Sequence, residues 1–220
     1  MSMPQEAETA RARRSLEHDS SSVRLRAAMA VGTRPDPRLV DTLVQRCGVE
    51  PDFSVREMLT WALTRHPAAV TVPLLVAELR SERAQARSQA LHTLSKIGDR
   101  RAWPAITRAL LADADDEVAR SAWRAAVVLV PSGAEAELGR VLATQLGRGG
   151  RETRLSLSRA LIALGAEIAV RAAMTDADPR VRQHAIATER LARDPDAGFE
   201  LAIEEAKRIV ALGGTSQEGS

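Results

Sequence analysis

One short pattern returns along this chain at intervals of about 30 residues, the spacing of stacked helical hairpins. It is clearest as Asp52-Phe53-Ser54-Val55-Arg56, Asp115-Asp116-Glu117-Val118-Ala119-Arg120 and Asp178-Pro179-Arg180-Val181-Arg182. Ser20-Ser21-Ser22-Val23-Arg24 opens the series, and Ala86-Arg87 and Thr153-Arg154 fill its gaps. From Val23 through Val55, Ala86, Val118, Thr153 and Val181 the steps are 32, 31, 32, 35 and 28 residues. One hairpin of that length cannot bury its own apolar faces, so the repeat implies that each unit stacks on the next.

Each unit reads as helix, short turn, helix. Four residues after the aligned position stand Ala27, Leu59, Ala90, Ala122, Leu157 and Ala185, and eight after it stand Val31, Leu63, Leu94, Ala126, Leu161 and then Glu189. Spacings of four and eight place these side chains on one stripe of a helix. Glu189 breaks the apolar run and suggests a last unit that faces water. Ser20, Asp52, Asp115 and Asp178 each precede the aligned position by three, where a short oxygen-bearing side chain accepts from an open N–H of the first turn.

The second helices carry their own register: Val40, Leu43, Val44 and Cys47; Val72, Leu75, Val76 and Leu79; Trp103, Ile106, Thr107 and Leu110; Leu138, Val141 and Leu142; then Phe199, Ala202, Ile203 and Ala206. Pro73 and Pro104 are expected just inside helix starts, where a missing N–H costs nothing. Breaks fall at 32–37, His66-Pro67, Gly98-Asp99, Pro131-Ser132-Gly133, Gly165 and Asp194-Pro195-Asp196. Gly147-Arg148-Gly149-Gly150 reads as the weakest link of the stack and as a hinge. The expected organisation is an N-terminal cap helix, partly disordered, over 1–18, a repeat domain over 19–212 and a disordered tail over 213–220.

Composition narrows the class. Apolar residues make up 45% and charged residues 27% of the chain, which suits neither a disordered nor a membrane protein. The first twenty residues are polar and charged, so no secretory signal is expected. A lone cysteine, Cys47, excludes an internal disulfide framework and points to a reducing cytoplasm. The formal charge is only +2, and aromatics are 2% of the residues, few for a binder that stacks sugars or single-stranded bases.

The segments Val55-Arg56, Ala86-Arg87-x-x-Ala90-Leu91-x-x-Leu94-x-x-Ile97-Gly98-Asp99-x-x-Ala102 and Val181-Arg182-x-x-Ala185 resemble HEAT repeats of the bacterial type often grouped with phycobilin-lyase-like repeats. The chain is also similar to HEAT-type regions of actinobacterial proteins, some of which follow a MerR-like DNA-binding head. The resemblance covers residues 19–212. It implies an all-α fold, a HEAT-like α-α superhelix: a right-handed solenoid of about six helical hairpins. It does not carry a function.

Enzymes built on related repeats leave marks that this sequence lacks. A hydroxylase-type iron site uses His-Glu dipeptides, whereas His18, His66, His92 and His184 are followed by Asp, Pro, Thr and Ala. A HEAT-like DNA glycosylase uses tryptophans with a carboxylate in a cleft. Trp103 sits at a core position, and Trp61 and Trp123 have no Asp one turn later. Cys47 fits a core stripe, and the glycine-rich loop at 147–150 lacks the Lys-Ser/Thr of a phosphate-binding loop. No catalytic residue, metal or cofactor is expected.

Arg24, Arg56, Arg87, Arg154 and Arg182 recur once per unit, with Arg120 shifted by one. A phosphate-tracking stripe is one reading. The favoured one is structural, each Arg pairing with acidic turn residues such as Asp113, Asp115 or Asp176 of an adjoining unit. The expected docking surface is the concave side lined by second helices, with Gln45, Arg46, Leu74, Glu78, Arg108, Arg140 and Glu204 as its contacts. There Arg46, Arg108 and Arg140 steer a partner and Arg108 and Arg140 fork onto carboxylates. The expected function is a non-enzymatic cytoplasmic scaffold that holds an acidic or helical segment of a partner protein, away from membranes. The alternatives are a nucleic-acid-associated regulator or DNA-glycosylase-like protein, and a phycobilin-lyase-like enzyme.

Overall fold

The structure, a computed structural model, describes residues 3–195, 203, 204 and 207–211. Every regular element among the described residues is helical. The chain divides into two compact units, Met1–Thr107 and Arg108–Ser220. The first holds α1 (Met3–Leu16), α2 (Ser21–Thr33), α3 (Val40–Cys47), α4 (Phe53–Thr64), α5 (Ala68–Glu78) and α6 (Ala84–Ile97), with 3-10 turns at Pro37–Leu39 and Arg100–Ala105. The second holds α7 (Arg108–Leu111), α8 (Asp116–Leu129), α9 (Glu135–Ala143), α10 (Arg151–Ala163), α11 (Glu167–Ala173) and α12 (Pro179–Arg193). Phe199, Ala202 and Ala206, from the register of a last second helix, and the tail at 213–220 lie outside the described residues.

Each unit has two rows. In the first, α2 packs on α4 and α4 on α6, while the shorter α3 and α5 pack on one another and on the long helices. In the second, α8 packs on α10 and α10 on α12, with α9 against α11. The first-helix stripe is buried throughout, from Ala27, Leu59 and Ala90 to Ala122, Leu157 and Ala185, and so is its companion from Val31 to Leu161. Burying each large apolar side chain contributes roughly 1.5–3 kcal/mol, which is what holds one hairpin to the next. Glu189, at the end of that companion stripe, is half-buried and paired with Arg193.

Local chemistry sets the helix starts. Asp52 accepts from the Val55 N–H at 3.1 Å, Asp115 from those of Glu117 and Val118 at 2.9 and 3.1 Å, and Asp178 from that of Arg180 at 2.7 Å. Ser20 has cap backbone geometry but makes no capping hydrogen bond through its side chain. Its hydroxyl lies 3.4 Å from that of Ser22 instead.

The second-helix row departs from the expected register in three places. Helix α5 begins at Ala68, so Pro73 lies in its interior rather than at its start. Pro104 falls in the 3-10 turn Arg100–Ala105, and non-helical backbone at Ile106 splits that segment from the four-residue α7. Proline removes a backbone donor and obstructs the turn before it, so a continuous α-helix across Pro104 is disfavoured. Finally, α11 is a second helix that the sequence register did not assign; its Val170 is buried, like Leu138 and Leu142 of α9.

Candidate partner-docking face

Four of the recurrent arginines, Arg24, Arg56, Arg87 and Arg182, turn inward on backbone. Arg24 Nη1 donates to the carbonyls of His18 and Asp19 at 2.8 and 2.7 Å, and Arg56 Nη1 to those of Glu50 and Pro51 at 2.9 and 2.8 Å. Arg87 Nη1 reaches those of Ser81 and Glu82 at 2.9 and 3.1 Å, and Arg182 Nη1 those of Asp176 and Ala177 at 2.6 and 2.8 Å. Each guanidinium thus folds back over the turn leading into its own helix and satisfies two carbonyls that no helix uses. The expectation of pairing with acidic turn side chains of an adjoining unit holds at Arg24, whose Nε and Nη2 also donate to Glu50 in the turn before the next first helix. At Arg56 and Arg182 it is corrected, because the acceptors are main-chain carbonyls of the same unit. The fourth unit has Ala119 at this position, and Arg148, from the glycine-rich loop, substitutes. It donates to the Asp113 carbonyl and, at 2.9 Å, to Asp116 Oδ1.

That loop is anchored rather than loose. Gly147, at φ +84, gives its N–H to His184 Nδ1 at 3.0 Å. His184 is sealed from solvent, with Nε2 2.9 Å from the Arg154 carbonyl and 3.1 Å from Ser158 Oγ. Ser158 Oγ is 2.7 Å from Thr188 Oγ1 in turn. Burial holds the imidazole neutral by pulling its pKa down to about 4, against the smaller upward pull of the Arg154 carbonyl. The hinge expected at 147–150 is thus a tied junction of α8, α10 and α12.

The residues expected to line a groove have separate fates. On α3, the Gln45 amide donates to Asp41 at 3.0 Å. Arg46 is only 19% exposed and bound to Glu50 Oε2 at 2.9 Å. Glu50 is buried, takes Nε and Nη2 of Arg24 at 2.7 Å each, and accepts the Asp52 N–H at 2.9 Å. Burial would raise the Glu50 carboxyl, but Arg24, the Asp52 amide and Arg46 together hold it at about 2. Arg46 is thereby committed to the interior of its unit. Leu74 and Glu78 on α5 are half-buried, and Glu204 is exposed and paired with Lys207 at 2.6 Å.

Arg108 and Arg140 do come together. Arg108 Nη2 lies 3.2 Å from Glu137 Oε1, and Arg140 Nη2 lies 2.5 Å from Glu137 Oε2. The two guanidiniums, Arg140 foremost, hold the Glu137 carboxyl below its usual range. Arg108 is 79% exposed and Arg140 66%. Each stands two residues before a buried residue of its own helix, Leu110 or Leu142. Position two of such a stripe points directly away from the core.

Other candidate chemistry is spent on structure. Among the described residues no group of three or more His, Cys, Asp or Glu side chains is placed to hold a metal ion. Trp123 is fully buried and donates Nε1–H to the Leu111 carbonyl at 2.8 Å, while Trp61 lies over Gly32 on α2. Cys47 is buried and its thiol is pushed up to about 12 by desolvation, far from a nucleophile. No helix among the described residues is long and apolar enough to cross a membrane.

Comparison with known proteins decides the family. HEAT repeats match over residues 9–83 and 49–127, more than half of the chain. The chain belongs to the HEAT-repeat family. Its fold class is accordingly all-α and HEAT-like, with α2, α4, α6, α8, α10 and α12 as first helices and α3, α5, α7, α9 and α11 among the second. No curated protein matches. Among solved structures, an engineered protein is 20% identical at a TM-score of 0.46, covering 87% of this chain and 59% of that one. The complex of CpcE and CpcF of phycocyanin lyase from Nostoc sp. PCC7120 is 15% identical at 0.38, covering 92% of this chain and 94% of that one. A designed armadillo repeat protein is 15% identical at 0.34, covering 90% and 98%. These likenesses carry no functional argument.

Placing α11 in the HEAT second-helix row adds two residues that sequence reasoning missed. Ile168 follows buried Ala166 by two and precedes buried Val170 by two, the position of Arg108 and Arg140, and it is 88% exposed. Arg171 is exposed one turn later. The signal was present: Gly165 ends α10 at φ +62, and a second helix must follow the turn it makes.

Proposed function

We propose that this HEAT-repeat protein is a non-enzymatic interaction module that holds a segment of a partner protein against its second-helix face. The observation that carries this reading is the pairing of Arg108 and Arg140 on Glu137 in the second unit. Two exposed guanidiniums there share one carboxylate and keep most of their N–H donors open to another. The inward fold of the recurrent arginines also speaks for protein over nucleic acid, because a phosphate-tracking stripe needs those cations outward. In this reading the repeat domain runs over 19–212, and a buried, unreactive thiol suits a reducing cytoplasm.

The test is affinity capture from the native cytoplasm with the intact chain and with Arg108→Glu/Arg140→Glu. Both residues are exposed, so helicity by circular dichroism stays unchanged. Specific capture that the double variant loses supports the reading. Capture that survives the double reversal places the partner elsewhere on the protein, and capture of nucleic acid that weakens steeply with salt replaces the reading with a phosphate-binding one.

A further inference from the structure

The second-helix row of the second unit presents an ordered sequence of chemistries at equivalent positions: a cation on α7, a cation on α9, and an aliphatic side chain on α11. Arg108, Arg140 and Ile168 are 79%, 66% and 88% exposed, and each is followed two residues later by a buried residue of its own helix, Leu110, Leu142 or Val170, so all three point away from the core. Helices α9 and α11 approach closely, because a Cβ at Gly139 would stand only 2.7 Å from that of Ala166. Arg140, next to Gly139, and Ile168, two residues past Ala166, therefore flank one tight crossing. Among the described residues Ile168 is the most exposed large hydrophobic side chain, at 88%, on a surface where a polar residue would cost nothing.

Charge and apolar surface together define what fits. Glu137 already shows the ligand type that the α7–α9 end takes: a carboxylate between two guanidiniums. Arg108 uses one Nη2 contact and Arg140 uses Nε and Nη2, so both retain donors for an incoming carboxylate. The α11 end offers Ile168 with Arg171 beside it. Neighbouring packed helices lie about 8–10 Å apart. On a bound α-helix rising 1.5 Å per residue that distance corresponds to about five to seven residues, and the upper end, about two turns, returns to the same face.

Resting on the second-helix-face reading above, we infer that the occupant is an acidic amphipathic helix whose carboxylates engage Arg108 and Arg140 while an aliphatic residue about two turns along covers Ile168. The juxtaposition of paired guanidiniums with an 88% exposed isoleucine in one row carries it. Charge gives the segment its direction, and Ile168 gives it a fixed register.

The experiment uses the full chain and three fluorescein-labelled synthetic helices read by fluorescence anisotropy. The first carries two glutamates one turn apart and a leucine about seven residues on, in an alanine–glutamine background. The second replaces the glutamates by lysine, and the third replaces the leucine by serine. The first helix binds, the lysine helix does not, and the serine helix binds at least tenfold more weakly. Ile168→Asp weakens the first helix at least tenfold, and Arg108→Glu/Arg140→Glu abolishes its binding. Loss with the arginine variant but unchanged affinity with Ile168→Asp overturns this inference and leaves the second-helix-face reading in place. Equal binding by the lysine helix, no binding by the glutamate–leucine helix, or a homodimer in sedimentation that Ile168→Asp dissolves also overturns it. The capture experiment above judges the broader reading separately.

Discussion

Arg24 and Glu50 meet as a bidentate pair, with Nε and Nη2 each 2.7 Å from a carboxylate oxygen. Their side chains are 6% and 0% exposed. The pair joins α2 to the turn before α4, while Arg46 brings in α3. Removing Arg24 takes the bidentate partner from a buried carboxylate and leaves Arg46 as its remaining cation. Arg24→Met is therefore expected to lower stability by about 3 kcal/mol, read as a urea midpoint shift at constant m value. Arg24→Met/Glu50→Gln should cost less than the two single changes summed, because both charges leave together. Strict additivity would show that the pair is not coupled.

Glu50 also ties stability to acid. Its carboxyl is about 2 in the folded protein against an ordinary 4.5. A depressed carboxyl contributes stability that is complete above the unfolded value and lost as pH falls through the folded one. The window is pH 4.5 to 2. Urea midpoints measured across it should fall less steeply in Glu50→Gln than in the parent chain.

His184 acts in a separate window. Its pKa is about 4 in the fold against an ordinary 6.5. The unfolded chain then binds the extra proton first, so this contribution is present above pH 6.5 and disappears as pH falls towards 4. Protonation would also turn Nδ1 into a donor facing the Gly147 N–H, which is itself a donor. Nuclear magnetic resonance titration should find the His184 ring neutral at pH 5.5. A ring that titrates near 6.5 would contradict the buried network.

Gly139 and Ala166 set the α9–α11 spacing. In an exposed helix Gly→Ala stabilises by about 1 kcal/mol. Here the new methyl would stand 2.7 Å from the Ala166 Cβ, closer than two such carbons settle. Gly139→Ala is expected to destabilise by roughly 1–2 kcal/mol through overpacking. Adding Ala166→Gly should return part of that loss. A Gly139→Ala protein more stable than the parent would mean that the two helices separate freely.

Arg148 replaces the missing arginine of the fourth unit. Arg148→Ala strips the Asp113 carbonyl and Asp116 of a donor from the loop and should cost about 1–3 kcal/mol. Hydrogen exchange is expected to quicken at the start of α10 before it does so elsewhere in the second unit. Unchanged exchange there would mean that Thr153, which donates to Asp116 Oδ2 at 3.0 Å, suffices to hold the loop.

The helical repeat, the buried stripes from Ala27 to Ala185 and the aspartate caps were legible in the sequence. They depend on neighbours three to eight residues away along one helix, a range in which spacing alone determines direction. Trp103 and Thr107 misled the second-helix register because Pro104 splits the helix on which that register relied. Ile168 escaped notice for a similar reason: without α11 in the row, nothing distinguished it from a core residue.

The sequence by itself determined that this chain is a stack of helical hairpins, because periodicity and caps are local and many times repeated. Only the tertiary structure decided where the long charged side chains went. An arginine reaches carbonyls and carboxylates from several turns, and which acceptor it takes depends on what burial leaves unsatisfied nearby. So Arg56, Arg87 and Arg182 closed on backbone, Arg24 on backbone and Glu50 together, and Arg46 sank onto Glu50. Arg108 and Arg140 stayed outside, because each lies two residues from a buried leucine of its own short helix and so on the face turned away from the core.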